Sequence, residues 1–433
     1  MTHINTVERQ LRGRHVPGLP KEFVLPHYDG YSIANVAPTV ARILGVDLDG
    51  AAPPLPEHVW GAHAEGVLCV LLLVLDATGF LQLSHCLGGE RSLFSRAADA
   101  GVLIPITSVF PSTTVSALTT LWTGRTPLEH GFLGTRLLLP ELGVLANMLK
   151  SAPAAYGRGG RLEEWGWDPE QFVTVATLGE QLGAAGVGTV AHTHRAFIGS
   201  SLTRVFLRGM RNVQGYVGLS DLWVNLQRTL SNRRADELLV VDVYWGGVDN
   251  VGHVYGPEGA YLASALRLLG RSFEEDFLRR VPEEARRNTL LMITADHGQI
   301  ATPPERVVNL PDHSALLETL LLPPAGETRA AYLYTRNGQA EALRTYVAEH
   351  LADRFALLDT EEALEAGLFG PVESLTPASR VRLGDMLLIA RDGSRLTMKK
   401  EEKEDGPHLR GHHGSLTPDE MLVPLLVVRL DAL

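Results

Sequence analysis

The chain has 433 residues, of which 45% are hydrophobic and 21% charged, enough for a large α/β domain with a smaller insertion and too apolar for a disordered tail. Its formal net charge of −11 argues against stable binding along a nucleic-acid backbone, while a small phosphorylated substrate could still be held by a few local cations. Two cysteines without CxxC spacing, Cys69 and Cys86, give neither a disulfide framework nor a thiolate zinc site.

The segment Met1–Gly18 is polar and lacks an apolar core of signal-peptide length. The longest apolar run, Val67–Leu75, is too short for a membrane span of about 20 residues and reads as a buried strand of a parallel sheet. A cytoplasmic protein with no membrane partner is the expectation; oligomeric state is not legible. Residues 1–60 are expected to form an N-terminal extension, ending in a Pro-rich surface linker (Pro53, Pro54, Pro56). After Val67–Leu75 come a helical stretch, Phe80–Ala98, and a strand, Val102–Val109. Residues 137–237, with Gly157–Gly160 and Trp165-Gly166-Trp167, are expected to supply loops and helices over the active face as a partly capping insert.

Further along, Leu238–Tyr244 and Thr289–Thr294 read as strands. Between them Leu262, Leu266, Leu269, Phe273 and Phe277 recur at helical steps within Glu258–Val281. Residues 310–405 are expected to form a small α+β cap, with strands Ala331–Thr335 and Met386–Ala390 around a helix carrying Leu343, Val347 and Leu351. The charged run Lys399–Asp405 reads as a solvated loop, and the chain returns to the core through Met421–Val428. The alternation predicts an α/β fold, doubly wound around a mainly parallel sheet, over 61–309 and 406–433. In such sheets ligands gather at the carboxyl ends of the strands.

Four clusters at or beyond strand ends supply carboxylate and imidazole groups. Asp76 ends the first apolar run, where an acid is costly unless it faces a cleft, a cation or a helix N-terminus. Asp249 and His253 are four residues apart, and Asp296-His297-Gly298 directly ends a strand. In Gly411-His412-His413-Gly414 two adjacent imidazoles cannot readily face one ion, so His413 is taken as the ligand and His412 as packing. Three aspartates and three histidines suit two divalent ions, Zn²⁺ first and Mn²⁺ second. A hydroxyl nucleophile fits Ser112-Thr113-Thr114, at the start of a helix where free N–H groups and the dipole favour negative charge.

The segment Val109–Gly131, VFPSTTVSALTTLWTGRTPLEHG, resembles the nucleophile region of the nucleotide pyrophosphatase/phosphodiesterase family, in the alkaline phosphatase superfamily. The family's V-F-P-T-K-T places its nucleophile on Thr114; its T-G-x-x-P-x-x-H-G falls on Thr123-Gly124, Pro127 and His130-Gly131. Its D-x-x-G-H-x-x-G-P is similar to Asp249–Pro257, its D-H-G to Asp296–Gly298, and its last H-G to His413-Gly414. The resemblance implies a phosphate-ester hydrolase of the phosphodiesterase type acting through a phosphothreonine. Asp76, Thr114, Asp296 and His297 would hold one metal, and Asp249, His253 and His413 the other. Nucleotide-cleaving members carry an asparagine three residues after the nucleophile, where this chain has Ala117. The segment Tyr31–Gly45 resembles one that in the family follows the last metal histidine, which implies a rearranged periphery; Gly414–Pro424 resembles the phosphoglycerate mutase and phosphopentomutase branch. A phosphomonoesterase or a metal-dependent phosphomutase is the alternative. A sulfatase lacks its C/S-x-P-x-R motif, and a non-catalytic binding protein would not need seven site residues.

Overall fold

The computed structural model describes residues 2–87, 92–155, 161–398 and 409–433; Gly157–Gly160 and the whole run Lys399–Asp405 lie outside them. Seven strands form the central sheet: β1 (Cys69–Leu75), β2 (Val102–Thr107), β3 (Gly188–His194), β4 (Asn212–Tyr216), β5 (Leu239–Trp245), β6 (Thr289–Thr294) and β7 (Leu422–Arg429). Their order is β2-β7-β6-β1-β5-β3-β4. Neighbours pair in parallel except β7, which runs antiparallel to both β2 and β6. Every residue of β1 is buried, as a strand covered on both faces requires. The fold is therefore the expected α/β, with a mostly parallel sheet between helices.

The helical periodicity before β6 is used as read. Leu262, Leu266 and Leu269 lie on the helix Ala260–Ser272, Phe273 and Phe277 on the wider turn Phe273–Leu278, and all five are buried. The single helix expected over Phe80–Ala98 is instead two, Phe80–Leu87 and Leu93–Ala100. Ser92 starts the second by exchanging hydrogen bonds with Ser95, a local geometry that competes with helix continuation.

The segment 1–60 does not stand outside the core. Val24, Leu25, Ile33, Val36 and Val40 are buried in the same apolar cluster as the sheet. The turn Ile33–Asn35 and the helix Val36–Ile43 pack against the helix α1 (Thr114–Thr123). Polar ties fix the proline stretch: the Asn35 amide donates to the carbonyls of Tyr28 and Pro53, and Leu55 N–H donates to Thr39 Oγ1 at 2.8 Å. Val24 N–H also donates to the Leu416 carbonyl at 2.8 Å, so this segment borders the loop that follows His413.

Residues 137–237 divide between two sheets. β3 and β4 complete one side of the central sheet. Strands Arg136–Leu139, Val144–Asn147 and Ala152–Pro153 instead join Ala325–Gly326, Ala330–Leu333, Phe355–Asp359 and Met386–Ala390 in a second, antiparallel sheet. Along its strands Ala331, Leu333, Leu388 and Ala390 face a small core with Leu343, Val347 and Leu351, while Ala330, Tyr332, Leu387 and Ile389 face the main core. The α+β part expected over 310–405 thus shares its sheet with residues near 140. Among the described residues no helix is long and apolar enough to cross a membrane.

Candidate active site

Five segments converge at the carboxyl end of the central sheet. Asp76 leaves β1, Asp296 and His297 leave β6, and Thr114 is the first residue of α1. Asp249 and His253 sit one turn apart on the helix α2 (Gly247–Tyr255) that follows β5, and His413 comes from the loop before β7. All seven singled-out residues meet here. Ligand atoms of Asp76, Asp296 and His297 lie within 4.8 Å of one another, and so do those of Asp249, His253 and His413. The two triads adjoin, since the His297 and His413 rings stack with centroids 3.8 Å apart. Thr114 Oγ1 lies 3.1 Å from His297 Nε2.

The imidazoles share one orientation. His253 Nδ1 faces the Gly411 carbonyl at 2.7 Å, His413 Nδ1 the Ser112 carbonyl at 3.0 Å, and His297 Nδ1 the Gly298 carbonyl at 3.0 Å. A carbonyl only accepts, so each Nδ1 carries the proton and each Nε2 lone pair is presented inward, as metal-bound histidines require. Asp296 Oδ1 accepts from the N–H groups of Ala77 (3.0 Å) and His297 (2.9 Å). Its Oδ2, and Asp76 Oδ1, are buried without a hydrogen-bond partner. Two orphaned carboxylate oxygens beside three inward lone pairs fit divalent cations in a mixed imidazole–carboxylate shell.

Electrostatics agree. Burial, then the charges of Asp296 and Asp249, hold the Asp76 carboxyl well above the usual carboxylate range, and burial raises Asp296 likewise. Burial and the neighbouring His297 and His253 push His413 well below an ordinary imidazole. Burial alone would lower His253, but Asp249, 3.1 Å away, raises it overall. A site that resists both its own anions and its own cations gains from a bound dication.

Other residues of the site carried little signal in the sequence. The Tyr244 hydroxyl donates to Asp76 Oδ2, and Gln299 Nε2 donates to Asp249 Oδ1. Their only markers were a strand end for Tyr244 and a place just past Asp296-His297-Gly298 for Gln299. Ser112 does not cap α1: its hydroxyl donates to the Ser415 carbonyl (2.7 Å) and accepts from Gly414 N–H, tying the Thr114 turn to the His413 loop. Thr113 occupies the cap position without a side-chain cap bond. Gly298 is required by space, because a Cβ there would lie 1.9 Å from the Asp419 carbonyl oxygen. His412 is held by Thr302 (2.5 Å), outside both triads. Arg125 pairs with Glu129 (3.2 Å) and the Asp49 carbonyl, away from Thr114. Ala117 is fully buried and offers nothing to a phosphoryl oxygen.

Solved structures share this fold. Murine ectonucleotide pyrophosphatase/phosphodiesterase 5 superposes with TM-score 0.62 at 19% identity, over 82% of this chain and 87% of that one. An inactive threonine-to-alanine variant of the murine protein in complex with AMP gives TM-score 0.63 at 17% identity, over 82% and 87%. Phosphonoacetate hydrolase from Sinorhizobium meliloti 1021, in complex with phosphonoformate, gives TM-score 0.62 at 18% identity, over 88% and 92%. No curated protein sequence matches the chain. The family model for type I phosphodiesterase/nucleotide pyrophosphatase matches residues 70–416, from inside β1 to the loop past His413. By that match the chain belongs to the type I phosphodiesterase/nucleotide pyrophosphatase family, a family of metal-dependent phosphoric ester hydrolases.

Proposed function

We propose that this chain hydrolyses a small phosphodiester in two displacements at Thr114. The observation that carries this reading is a single hydroxyl, Thr114 Oγ1, placed 3.1 Å from His297 Nε2 beside two adjoining ligand triads. Asp76, Thr114, Asp296 and His297 would hold one divalent ion, and Asp249, His253 and His413 the other, with Zn²⁺ the best match to the donor set. When bound, such ions supply positive charge that acidifies a hydroxyl and stabilises the equatorial oxygens of a transferring phosphoryl group.

Thr114 Oγ1 bonds to phosphorus as the ester P–O bond breaks, and the departing alcohol takes up the hydroxyl proton. Water then cleaves the phosphothreonine, restoring the hydroxyl and releasing a phosphate monoester. Thr114 stands at the N-terminus of α1, where free backbone N–H groups face the developing charge. Tyr244 and Gln299 orient Asp76 and Asp249, and the Nδ1–H bonds fix the three rings. Among the described residues no lysine or arginine lines the cavity bordering Thr114, which favours a diester monoanion over a monoester dianion.

The test compares bis-p-nitrophenyl phosphate with p-nitrophenyl phosphate, each with Zn²⁺ or Mn²⁺, for wild type and Thr114→Ala. Metal-dependent turnover, faster on the diester and reduced at least about a thousandfold in the variant, is expected. Mass spectrometry of acid-quenched enzyme should place the phosphoryl group on the peptide containing Thr114. Undiminished turnover in Thr114→Ala removes it as the nucleophile and leaves Thr113 as the candidate.

A further inference from the structure

Beside Thr114 lies a cavity of about 320 Å³, the size of a small organic group. Its walls are mainly apolar and aromatic, with the hydroxyls of Thr193, Ser200 and Thr203 among them. Trp122 stacks on Phe206 with centroids 5.9 Å apart, and Phe197 leans on Tyr244 at 6.1 Å. Leu118 and Leu202 fill the space between. Into this apolar lining β5 sets one acid, Asp242, which is 1% exposed.

Neither carboxylate oxygen of Asp242 has a well-formed hydrogen bond; its neighbouring donor is the indole N–H of Trp122, which lowers the acid's pKa by less than burial raises it. Among the described residues no lysine or arginine lines the cavity, and burial holds the lining His192 imidazole down at about 4, so it is uncharged near neutrality. A buried acid whose neighbouring donor is one neutral indole N–H is costly, by about 1–3 kcal/mol or more when charged. β5 is held in the sheet by its backbone pairing with β1 and β3, which makes no use of this side chain. Metal binding gives Asp242 no role, since it belongs to neither triad. Aromatic faces around a lone carboxylate match an organic cation: the rings attract its charge and the oxygens accept its N–H groups.

We propose that Asp242 recognises a basic nitrogen on the organic group of the substrate, so that the chain selects phosphodiesters bearing an amine. The selection rests on the hydrolase reading above, because that reading seats the phosphate at Thr114 and the ester's organic group in the adjoining cavity. Asp242 acts in specificity, distant from the bonds that change.

The test uses a series of p-nitrophenyl ω-aminoalkyl phosphate diesters and the plain alkyl diesters of matching length, with the Zn²⁺-loaded full-length protein. At the length that fits, wild type should prefer the amino ester by at least about tenfold in kcat/KM. In Asp242→Asn and Asp242→Leu the ratio should fall to about one, and Leu should favour the alkyl ester. The ratio is taken within each variant, so a general loss of activity cancels. A wild-type ratio near one at every length, or a preference that survives Asp242→Leu, overturns the proposal. In Thr114→Ala, which lacks the attacking oxygen, calorimetric titration with the same diesters reads the preference as a ratio of dissociation constants. Failure of wild type to cleave any diester would sink the hydrolase reading, while that binding ratio would still decide for or against Asp242.

Discussion

Replacing Asp76 by asparagine should change stability with opposite sign in the presence and absence of metal. Asp76 and Asp296 are 3% and 0% exposed, and each keeps one oxygen without a partner. Without cations the fold therefore carries two buried acids that repel each other. Asparagine removes one charge and still accepts from the Tyr244 hydroxyl, so the chelated variant should melt at or above the chelated wild type. With metal the order reverses. Free metal at a hundred times its dissociation constant adds about 2.7 kcal/mol per site. Unfolding entropy of roughly 2.1 cal/mol/K per residue, over 433 residues, comes to about 0.9 kcal/mol/K. One filled site then raises Tm by about 3 °C and two by about 6 °C. Scanning calorimetry in EDTA and in buffered Zn²⁺ should show the full rise in wild type and about half of it in Asp76→Asn, where the Asp249 triad survives. A full rise in the variant would refute Asp76 as a ligand, and with it the division into two triads.

Three further outcomes follow from other parts of the molecule. Burial pushes the Asp242 carboxyl from the ordinary 3.8 up to about 7, so ionisation opposes folding and wild type loses stability as pH rises through that window. Asp242→Asn should match wild type in urea unfolding at pH 4 and exceed it at pH 8 by up to about 4 kcal/mol; a pH-independent difference would contradict the buried acid. Ile33→Ala should cost about 2–4 kcal/mol, because Ile33 is fully buried against the main core, whereas a loosely docked extension would show almost no loss. Gly298→Ala forces its new methyl against the Asp419 carbonyl and should lower kcat at least about tenfold with unchanged far-UV circular dichroism; wild-type kcat would show that the turn can shift freely.

The site was more legible in the sequence than the periphery. An acid that ends a wholly apolar strand, or an Asp-His pair at a strand end, contradicts the burial around it. Asp76, Asp296 and His297 announced themselves in that way. Tyr244 and Gln299 did not, since a tyrosine at a strand end and a glutamine in a loop break no rule of burial. The central strands were readable because β1 and β6 are largely apolar on both faces and β5 is so apart from Asp242. Strands Arg136–Leu139 and Val144–Asn147 pair with each other as a short hairpin that alternates only weakly, and its link to the rest of the sheet, Arg136 with Gly326, spans a distance over which local pattern carries no information. Tyr31–Gly45 is similar to a segment expected after the last metal histidine. The structure places Val24, a little before that segment, in hydrogen-bond contact with Leu416, three residues past His413.

The position of β7 has a consequence for how the enzyme is made. β2, which leads directly into the Thr114 turn, has β7 as its one ladder partner in the central sheet, and β7 begins at Leu422. A ribosome-bound chain that has emerged past β6 holds most of the sheet but leaves that side of β6 and the β7-facing side of β2 open, while the N-terminal segment meets the other side of β2 through Thr107 N–H to the Tyr31 carbonyl; His413 has not yet reached its triad. Such an intermediate exposes backbone edges that invite pairing with other chains. Completion of the second triad thus waits for the segment that leads into a late strand slotted between two early ones, whereas Asp76, Thr114, Asp296 and His297 have all been made before it.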